Sequence, residues 1–492
     1  MDVVGKIFEF ANRTPDAWAL VLDLEPTTYR ALYRMITAMR HRLAAYGLRP
    51  GGVVVLWIQP ALVSWVVNLA MRTLGMTTVS IRSLGEFASL TGLDIVAVVT
   101  AEDFSEIDPD LAPDATRIVV ARADWDVADD GGPLEPPPRT PPGDHILLTS
   151  GTTGNHKMMI VDSSVQAAEI QIGVKNFLAR LGEGATELRG SVNIFNLGLW
   201  TAVGYNYPVG VWSIGSTVII HQGPDEWRSF LVPGITHAMI TPGLLTQILA
   251  TAPPTMPRND RLMLMVTGGA LSIDLANTVR ARLTNTLVIT LGSTESGAWA
   301  QTMVRGDEDL RWHRVNPNRT VEVVDEEDRP LPPNQLGQVR VLLDNSFTGY
   351  LNDPDATASF VKGRYFYPGD LGVLDGNGRI SLHGRVTDVL NIMGGKHASG
   401  PYEAALQKAL GLEGVCVFSE QGEGLQEQLH VVLETPGPID DALLRQAAIH
   451  LEHLQAANFH FLDRFPRNHM GKVERFKLRQ RLIEQQLARS QT

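Results

Sequence analysis

Short runs of β-branched and apolar residues alternate along this chain with longer stretches whose apolar positions recur every three or four residues. Residues 53–58, 95–100 and 116–121 read as strands. Residues 30–46 read as an amphipathic helix, preceded by Thr27-Thr28-Tyr29 and ended by Gly47 and Gly51-Gly52. The same rhythm resumes at 217–221, at 236–240 before Pro242, at 262–266 and at 287–291. Strands alternating with helices imply a parallel sheet flanked by helices. From about Val321 the pattern turns more β-like: 321–324, 337–343, then 372–374 and 379–383 around Asp375-Gly376-Asn377-Gly378, a turn rich in residues that accept positive φ. Beyond Arg385 a tail of roughly a hundred residues mixes a helix (402–410) with strands (415–419, 430–433). The fold class expected is therefore α/β.

Residues 53–71 carry no charge, which raises the question of a membrane span. Gln59-Pro60 and Asn68 argue for a buried strand followed by a buried helix over 61–74, with Pro60 at the handover. Residues 124–143, acidic and proline-rich (Pro136-Pro137-Pro138, Pro141-Pro142), read as an exposed connector. After Asp162-Ser163-Ser164 a capped helix to about residue 181 is expected.

Length and charge narrow the picture. At 492 residues the chain exceeds one core and should divide into two or more domains. A net charge of -12 argues against a nucleic-acid partner, which would want a basic face. The single cysteine, Cys416, cannot form an internal disulfide, so the cytoplasm is the expected compartment. Met1-Asp2-Val3-Val4-Gly5-Lys6 lacks the basic-then-apolar order of a signal peptide.

Chemistry gathers at glycine-rich turns. The apolar run His145–Leu148 breaks into Thr149-Ser150-Gly151-Thr152-Thr153-Gly154-Asn155-His156-Lys157. Hydroxyls and bare backbone can wrap an anion, and Lys157 adds a charge; the spacing G-x-x-G-x-x-K differs from the Walker pattern. Such a run is also what a flexible linker looks like. Two further strands end in Thr267-Gly268-Gly269-Ala270 and Gly292-Ser293-Thr294-Glu295, and sites in parallel sheets gather at carboxyl ends of strands. Glu295 could give Mg²⁺ a hard oxygen; the bland alternative is a solvated residue in a strand-to-helix turn.

Together these motifs resemble the adenylate-forming superfamily of acyl- and aryl-CoA ligases, peptide-synthetase adenylation domains and luciferases. Thr149-Ser150-Gly151-Thr152-Thr153-Gly154-x-x-Lys157 is similar to its phosphate loop, with His156 and Met158 where relatives have Pro and Gly. Leu291-Gly292-Ser293-Thr294-Glu295 is similar to its aromatic-Gly-x-Thr-Glu element, with Leu291 replacing the aromatic residue that packs on adenine. Gly268-Gly269-Ala270 resembles the turn against which adenine lies. Tyr367-Pro368-Gly369-Asp370 and Gly384-Arg385-Val386-Thr387-Asp388 resemble the ribose-binding and hinge elements, Thr387 standing where the hinge is usually Asp or Lys. Met393-Gly394-Gly395-Lys396 resembles the loop lining the thiol tunnel, and Pro466-Arg467-Asn468-His469-Met470-Gly471-Lys472-Val473-Glu474-Arg475 the terminal lysine motif.

The resemblance implies a large N-terminal domain (1–385) of helix-flanked sheets with an added β-rich part, and a small mobile α+β C-terminal domain (386–492). It implies ATP-dependent, Mg²⁺-assisted activation of a carboxylic acid as acyl-AMP, then transfer to the thiol of CoA or of carrier-protein phosphopantetheine. The implied roles are phosphate binding for Thr149, Ser150, Gly151, Thr152, Thr153, Gly154 and Lys157; adenine and ribose binding for Gly268, Gly269, Ala270, Asp370 and Arg385; and catalysis for Thr294, Glu295 and Lys472, with Glu295 also the metal ligand. Asn196 and Gly292 would face the acid. A neutral Asn196, where amino-acid-activating relatives have Asp, argues for an aryl or acyl acid. Since the chain ends soon after Lys472, the carrier protein is expected to be a separate partner. Two alternatives stay open: an amide ligase delivering the adenylate to an amine, and a degenerate nucleotide-binding relative, to which His156, Met158, Leu291, Thr387 and Asn391 would point.

Overall fold

The computed structural model describes residues 2–101, 112–150, 156–166, 168, 191–194, 198–343, 347–386, 389–392, 395–421, 427–448, 457–467, 473–475, 477–479 and 481–482. Two large sheets carry its first two-thirds. One has six strands in the order Thr116–Val120, Ile95–Ala101, Val53–Trp57, Thr77–Ser80, His145–Ser150 and His156–Val161. All its pairings are parallel except the last, an antiparallel hairpin. The other has eight strands, parallel through Thr286–Ser293, Met263–Thr267, Ile235–Ile240, Ser191–Ile194, Val218–Ile220 and Trp18–Leu22. Antiparallel strands, Gly297–Met303 and Glu25–Thr28, close its two edges.

The helices expected from apolar periodicity fill the space between these sheets. Tyr29–Ala44 starts where Thr28 accepts from the Ala31 amide at 3.1 Å and buries Leu32, Ile36, Met39 and Leu43, one per turn. Ala61–Thr73 begins directly after Pro60 and is buried on every face from Val63 onward, its polar Ser64, Asn68 and Arg72 included. Among the described residues, no helix is long and apolar enough to cross a membrane. Both helices share one core with Leu20 and Val218 of the larger sheet and with Val54 and Val99 of the smaller.

The connector runs as an exposed strap tied to the first long helix. Arg30 pairs with Asp129 at 2.6 Å, Arg40 with Glu135 at 2.5 Å, and the Tyr33 hydroxyl donates to the Glu135 carbonyl at 2.7 Å. The helix expected after Asp162 is present over 163–166 and at 168, and the Asp162 carboxylate accepts from the Ser164 amide at 2.7 Å; residues 169–181 lie outside the described residues.

After residue 310 the chain builds an antiparallel sheet ordered His313–Arg314, Arg379–Arg385, Asp370–Leu374, Leu336–Leu342, Tyr365–Phe366 and Val361–Lys362, with Val321–Val324 also on Leu336–Leu342. Past residue 390, Val415–Gln421, Glu427–Glu434 and Asn458–Leu462 form a three-stranded sheet. It shares a core with helix Ser399–Leu410, formed by Leu390, Leu406, Val417, Val431, Leu433 and Leu444 among others. α/β layers followed by β-rich and α+β parts are the architecture that the patterning implies.

Candidate active site

The hairpin His145–Ser150/His156–Val161 sets Thr149 opposite Lys157 and Ser150 opposite His156, so the glycine-rich stretch is the connection at its tip. Gly151, Thr152, Thr153 and Gly154 lie outside the described residues. Lys157 is half-buried beneath a short segment that the hydrophobic pattern did not single out. Its Nζ lies 3.6 Å from the Phe360 ring centroid and 5.0 Å from that of Tyr350, close enough for cation–π attraction. Burial lowers the Lys157 pKa, and the carboxylates of Glu295 and Asp353 oppose that shift.

The segment holding those rings is stitched to the hairpin, for the Leu351 amide donates to the Met158 carbonyl at 2.9 Å. It ends in helix Pro354–Phe360, capped by Asp353, whose carboxylate accepts from the Ala356 amide at 2.8 Å. The Tyr350 hydroxyl donates to Glu295 Oε1 at 2.6 Å, and both groups are buried. Burial and the adjacent Glu295 charge push the Tyr350 pKa far up, so the phenol stays protonated and can only donate to the carboxylate. Lys157, Tyr350 and Glu295, far apart in sequence, thus form one cluster.

Glu295 sits in a strand-to-strand turn rather than a strand-to-helix one. Thr286–Ser293 folds back antiparallel onto Gly297–Met303, and the Ser293 hydroxyl accepts from the Ser296 amide at 3.0 Å. Gly292 is required here: a Cβ would stand 2.5 Å from the Gly297 carbonyl oxygen. Thr294 is half-buried in the same turn. The neighbouring strand Met263–Thr267 pairs in parallel with Thr267 beside Thr290, and the Thr267 hydroxyl donates to the Thr290 carbonyl at 3.1 Å. Gly268, at φ +80, turns the chain at that carboxyl end and leaves Gly268, Gly269 and Ala270 exposed. Leu291 is partly buried between the core of the larger sheet and that of the β-rich sheet, so its side chain serves packing.

On the β-rich sheet Asp370 and Arg385 are directly opposed on adjacent strands, with Arg385 Nε 3.1 Å from Asp370 Oδ1. Arg385 Nη1 also donates to the Pro368 carbonyl. Gly369, at φ +79, shapes the turn before Asp370, and its carbonyl accepts from the Val386 amide at 2.8 Å. This pair is joined to the glycine turns through a core of Trp299, Ala300, Val339, Val341 and Ile380. Asn196, Thr387 and Lys472 lie outside the described residues, although Arg467 and Val473 are bridged on either side of residues 468–472. Tyr350 and Phe360 are the site residues that the sequence reading missed. Asp353-Pro354, a cap followed by proline, marks the helix locally; the Tyr350–Glu295 contact spans 55 residues and leaves no local trace.

A strand hairpin carrying a lysine, carboxyl-end glycine turns and a buried carboxylate in this α/β fold are the features by which the sequence resembles the adenylate-forming class. The AMP-binding enzyme family matches residues 7–351, and the chain belongs to it. Among its relatives is the fatty acid–[acyl-carrier-protein] ligase ScoC of Streptomyces coeruleorubidus, 25% identical over an alignment of 506 positions that covers 96% of this chain and 94% of that protein. The fold is shared with the amide bond synthetase McbA of Marinactinospora thermotolerans, at TM-score 0.79 and 20% identity, covering 97% of this chain and 99% of the other. It is shared equally with the o-succinylbenzoate CoA synthetase MenE of Bacillus subtilis, solved with its acyl-adenylate intermediate, at TM-score 0.79 and 19% identity, covering 96% and 97%.

Proposed function

We propose that this protein activates a carboxylic acid with ATP, forming acyl-AMP and releasing pyrophosphate, and then passes the acyl group to a thiol. The observation that carries the reading is the cluster of half-buried Lys157 with buried Tyr350 and Glu295 beside the glycine-rich hairpin. Attack by a carboxylate oxygen on the α-phosphorus spreads negative charge over phosphoryl oxygens, so placement and cationic stabilisation supply most of the rate. Residues 149–157 would hold the β- and γ-phosphates, with Lys157 as the fixed charge. Gly268–Ala270 would receive adenine, and Asp370 the ribose hydroxyls with Arg385 beside it.

Glu295 fits Mg²⁺. Its carboxylate is a hard oxygen donor held in one orientation by Tyr350. Mg²⁺ prefers such a site, taking one or two carboxylates, waters and phosphate oxygens. Bound there it would neutralise phosphate charge. Lys472 would bridge the attacking carboxylate and the α-phosphate from a C-terminal domain spanning 386–492, pivoting at Thr387.

For the acid, a neutral Asn196 and the neighbouring Phe195, Trp200, Tyr205 and Tyr207 favour an aryl or acyl group over an α-amino acid. For the acceptor, the name of the ScoC relative supports a carrier-protein thiol, with CoA as the other thiol of the same chemistry. The single cysteine, Cys416, is buried and suits a reducing cytoplasm. The intact Tyr350–Glu295 and Asp370–Arg385 pairs speak against a degenerate relative.

The test is Lys472→Ala. Adenylation should fall by about a thousandfold, the scale for removing a transition-state charge donor. Transfer of acyl from synthetic acyl-AMP to the thiol should survive. Equal loss of both steps contradicts the assignment, and delivery to amines in preference to thiols identifies an amide ligase.

A further inference from the structure

The strand that leads into the phosphate hairpin begins with a fully buried histidine, His145. Its Nε2 lies 2.9 Å from the Leu199 carbonyl oxygen, which can only accept, so Nε2 carries the proton. Nδ1 is then the lone-pair nitrogen and accepts from the Thr78 hydroxyl at 2.8 Å. Thr78 in turn accepts from Asn68 Nδ2 at 2.9 Å, so the imidazole is fixed from behind by strand Thr77–Ser80 and helix Ala61–Thr73. Its face stacks on Tyr205, with ring centroids 3.9 Å apart and an interplanar angle of 20°. The Tyr205 hydroxyl accepts from buried Arg72 at 2.8 Å, and Arg72 also donates to Gln166 at 2.9 Å. Burial holds the His145 pKa down at about 4, so the ring is neutral and its donor–acceptor pattern constant near neutral pH.

Leu199 and Tyr205 belong to the stretch that follows Asn196, in which we place the acid pocket; His145 belongs to the strand that ends in the phosphate hairpin. We infer that His145 is a positioning residue that couples these two halves of the site, fixing where the acid lies relative to the triphosphate. It touches neither substrate. It sets the distance between them, and an error of an ångström in such a distance lowers a rate by about a hundredfold. A hydrophobic residue of similar bulk would fill the space and leave the Leu199 carbonyl and the Thr78 hydroxyl unpaired. The inference rests on the nucleotide-binding and acid-pocket readings given above.

Hydrogen exchange with ATP–Mg²⁺ as the only ligand tests the coupling without needing the acid. In the wild type, ATP should slow exchange both at 145–161 and at 198–205. In His145→Leu it should slow only the first segment. His145→Gln, which keeps an N–H able to reach the Leu199 carbonyl, should restore protection of the second. His145→Asn keeps an acceptor for Thr78 but is too short for Leu199; it should behave like His145→Leu and serves as the test if the leucine variant does not fold. In steady-state assays the leucine and asparagine variants should lose adenylation kcat by roughly a hundredfold, with the KM for ATP near that of the wild type. Equal ATP protection of 198–205 in the wild type and His145→Asn overturns the coupling. So does wild-type protection confined to 145–161. Absence of ATP protection over 145–161 in the wild type overturns instead the nucleotide reading, and the inference with it.

Discussion

Two residues show how burial fixes chemistry in this site. Tyr350 and Glu295 are both out of water, so their 2.6 Å contact is a hydrogen bond to a charged acceptor with little solvent to replace it. Tyr350→Phe keeps the ring over Lys157 and removes only the donor. It should destabilise the fold by about 1.5–3 kcal/mol, the range for hydrogen bonds to charged groups. It should also raise the Mg²⁺ concentration needed for half-maximal adenylation, because the carboxylate loses its orientation. A magnesium titration checks this, and an unchanged midpoint would separate Tyr350 from the metal. His145 and His313 are buried neutral, each with its pKa lowered from 6.5 to about 4 by desolvation. Below pH 6.5 the unfolded chain binds protons that the folded chain refuses, so stability falls with acidification through this window and levels off below pH 4. By pH 5 each imidazole should contribute a loss of about 2 kcal/mol, at 1.36 kcal/mol per unit of pKa difference. Urea denaturation between pH 7 and 5 reads the slope, and His145→Gln should remove one share of it; a flat profile contradicts the assignment.

At the scale of elements, the turn carrying Glu295 depends on the absence of a side chain at Gly292. A Cβ there meets the Gly297 carbonyl at 2.5 Å and Ala298 Cα at 3.0 Å, both backbone atoms that cannot swing aside. Gly292→Ala should cost about 1–3 kcal/mol, as overpacking does, and adenylation should fall further than the stability loss accounts for because Glu295 moves with the turn. Denaturation and exchange assays on one preparation compare the two, and wild-type values in both would show the turn to be tolerant. Such elements were largely legible in the sequence. The helix at Tyr29–Ala44 and the handover at Pro60 follow from apolar period and capping chemistry, which act within a few residues. Strand limits shifted by a residue or two, as when 287–291 became Thr286–Ser293, because the pairing partner rather than the local pattern ends a strand. The bends at Gly268 and Gly369 were marked by glycine, which tolerates the φ of +80 and +79 found there. Strand order, the meeting of Tyr350 with Glu295, and the hub at His145 were not legible. They arise from packing between segments that the chain separates by tens of residues, and no local propensity encodes them.

For the molecule as a whole, the segment from Tyr350 to Phe360 ties the hairpin at the edge of one large sheet to the Glu295 turn of the other. Separate cores within the described residues serve the part before residue 385 and the part after 390. Everything functional then rests on one claim, that the chain couples an acid to ATP. Acid-dependent exchange of pyrophosphate into ATP, screened over aryl, acyl and α-amino acids, measures that coupling directly. Exchange is expected with one or more aryl or acyl acids, none of comparable rate with α-amino acids, and the signal should be lost in Lys472→Ala. Exchange confined to α-amino acids, or none with any acid while ATP still binds, would contradict that claim.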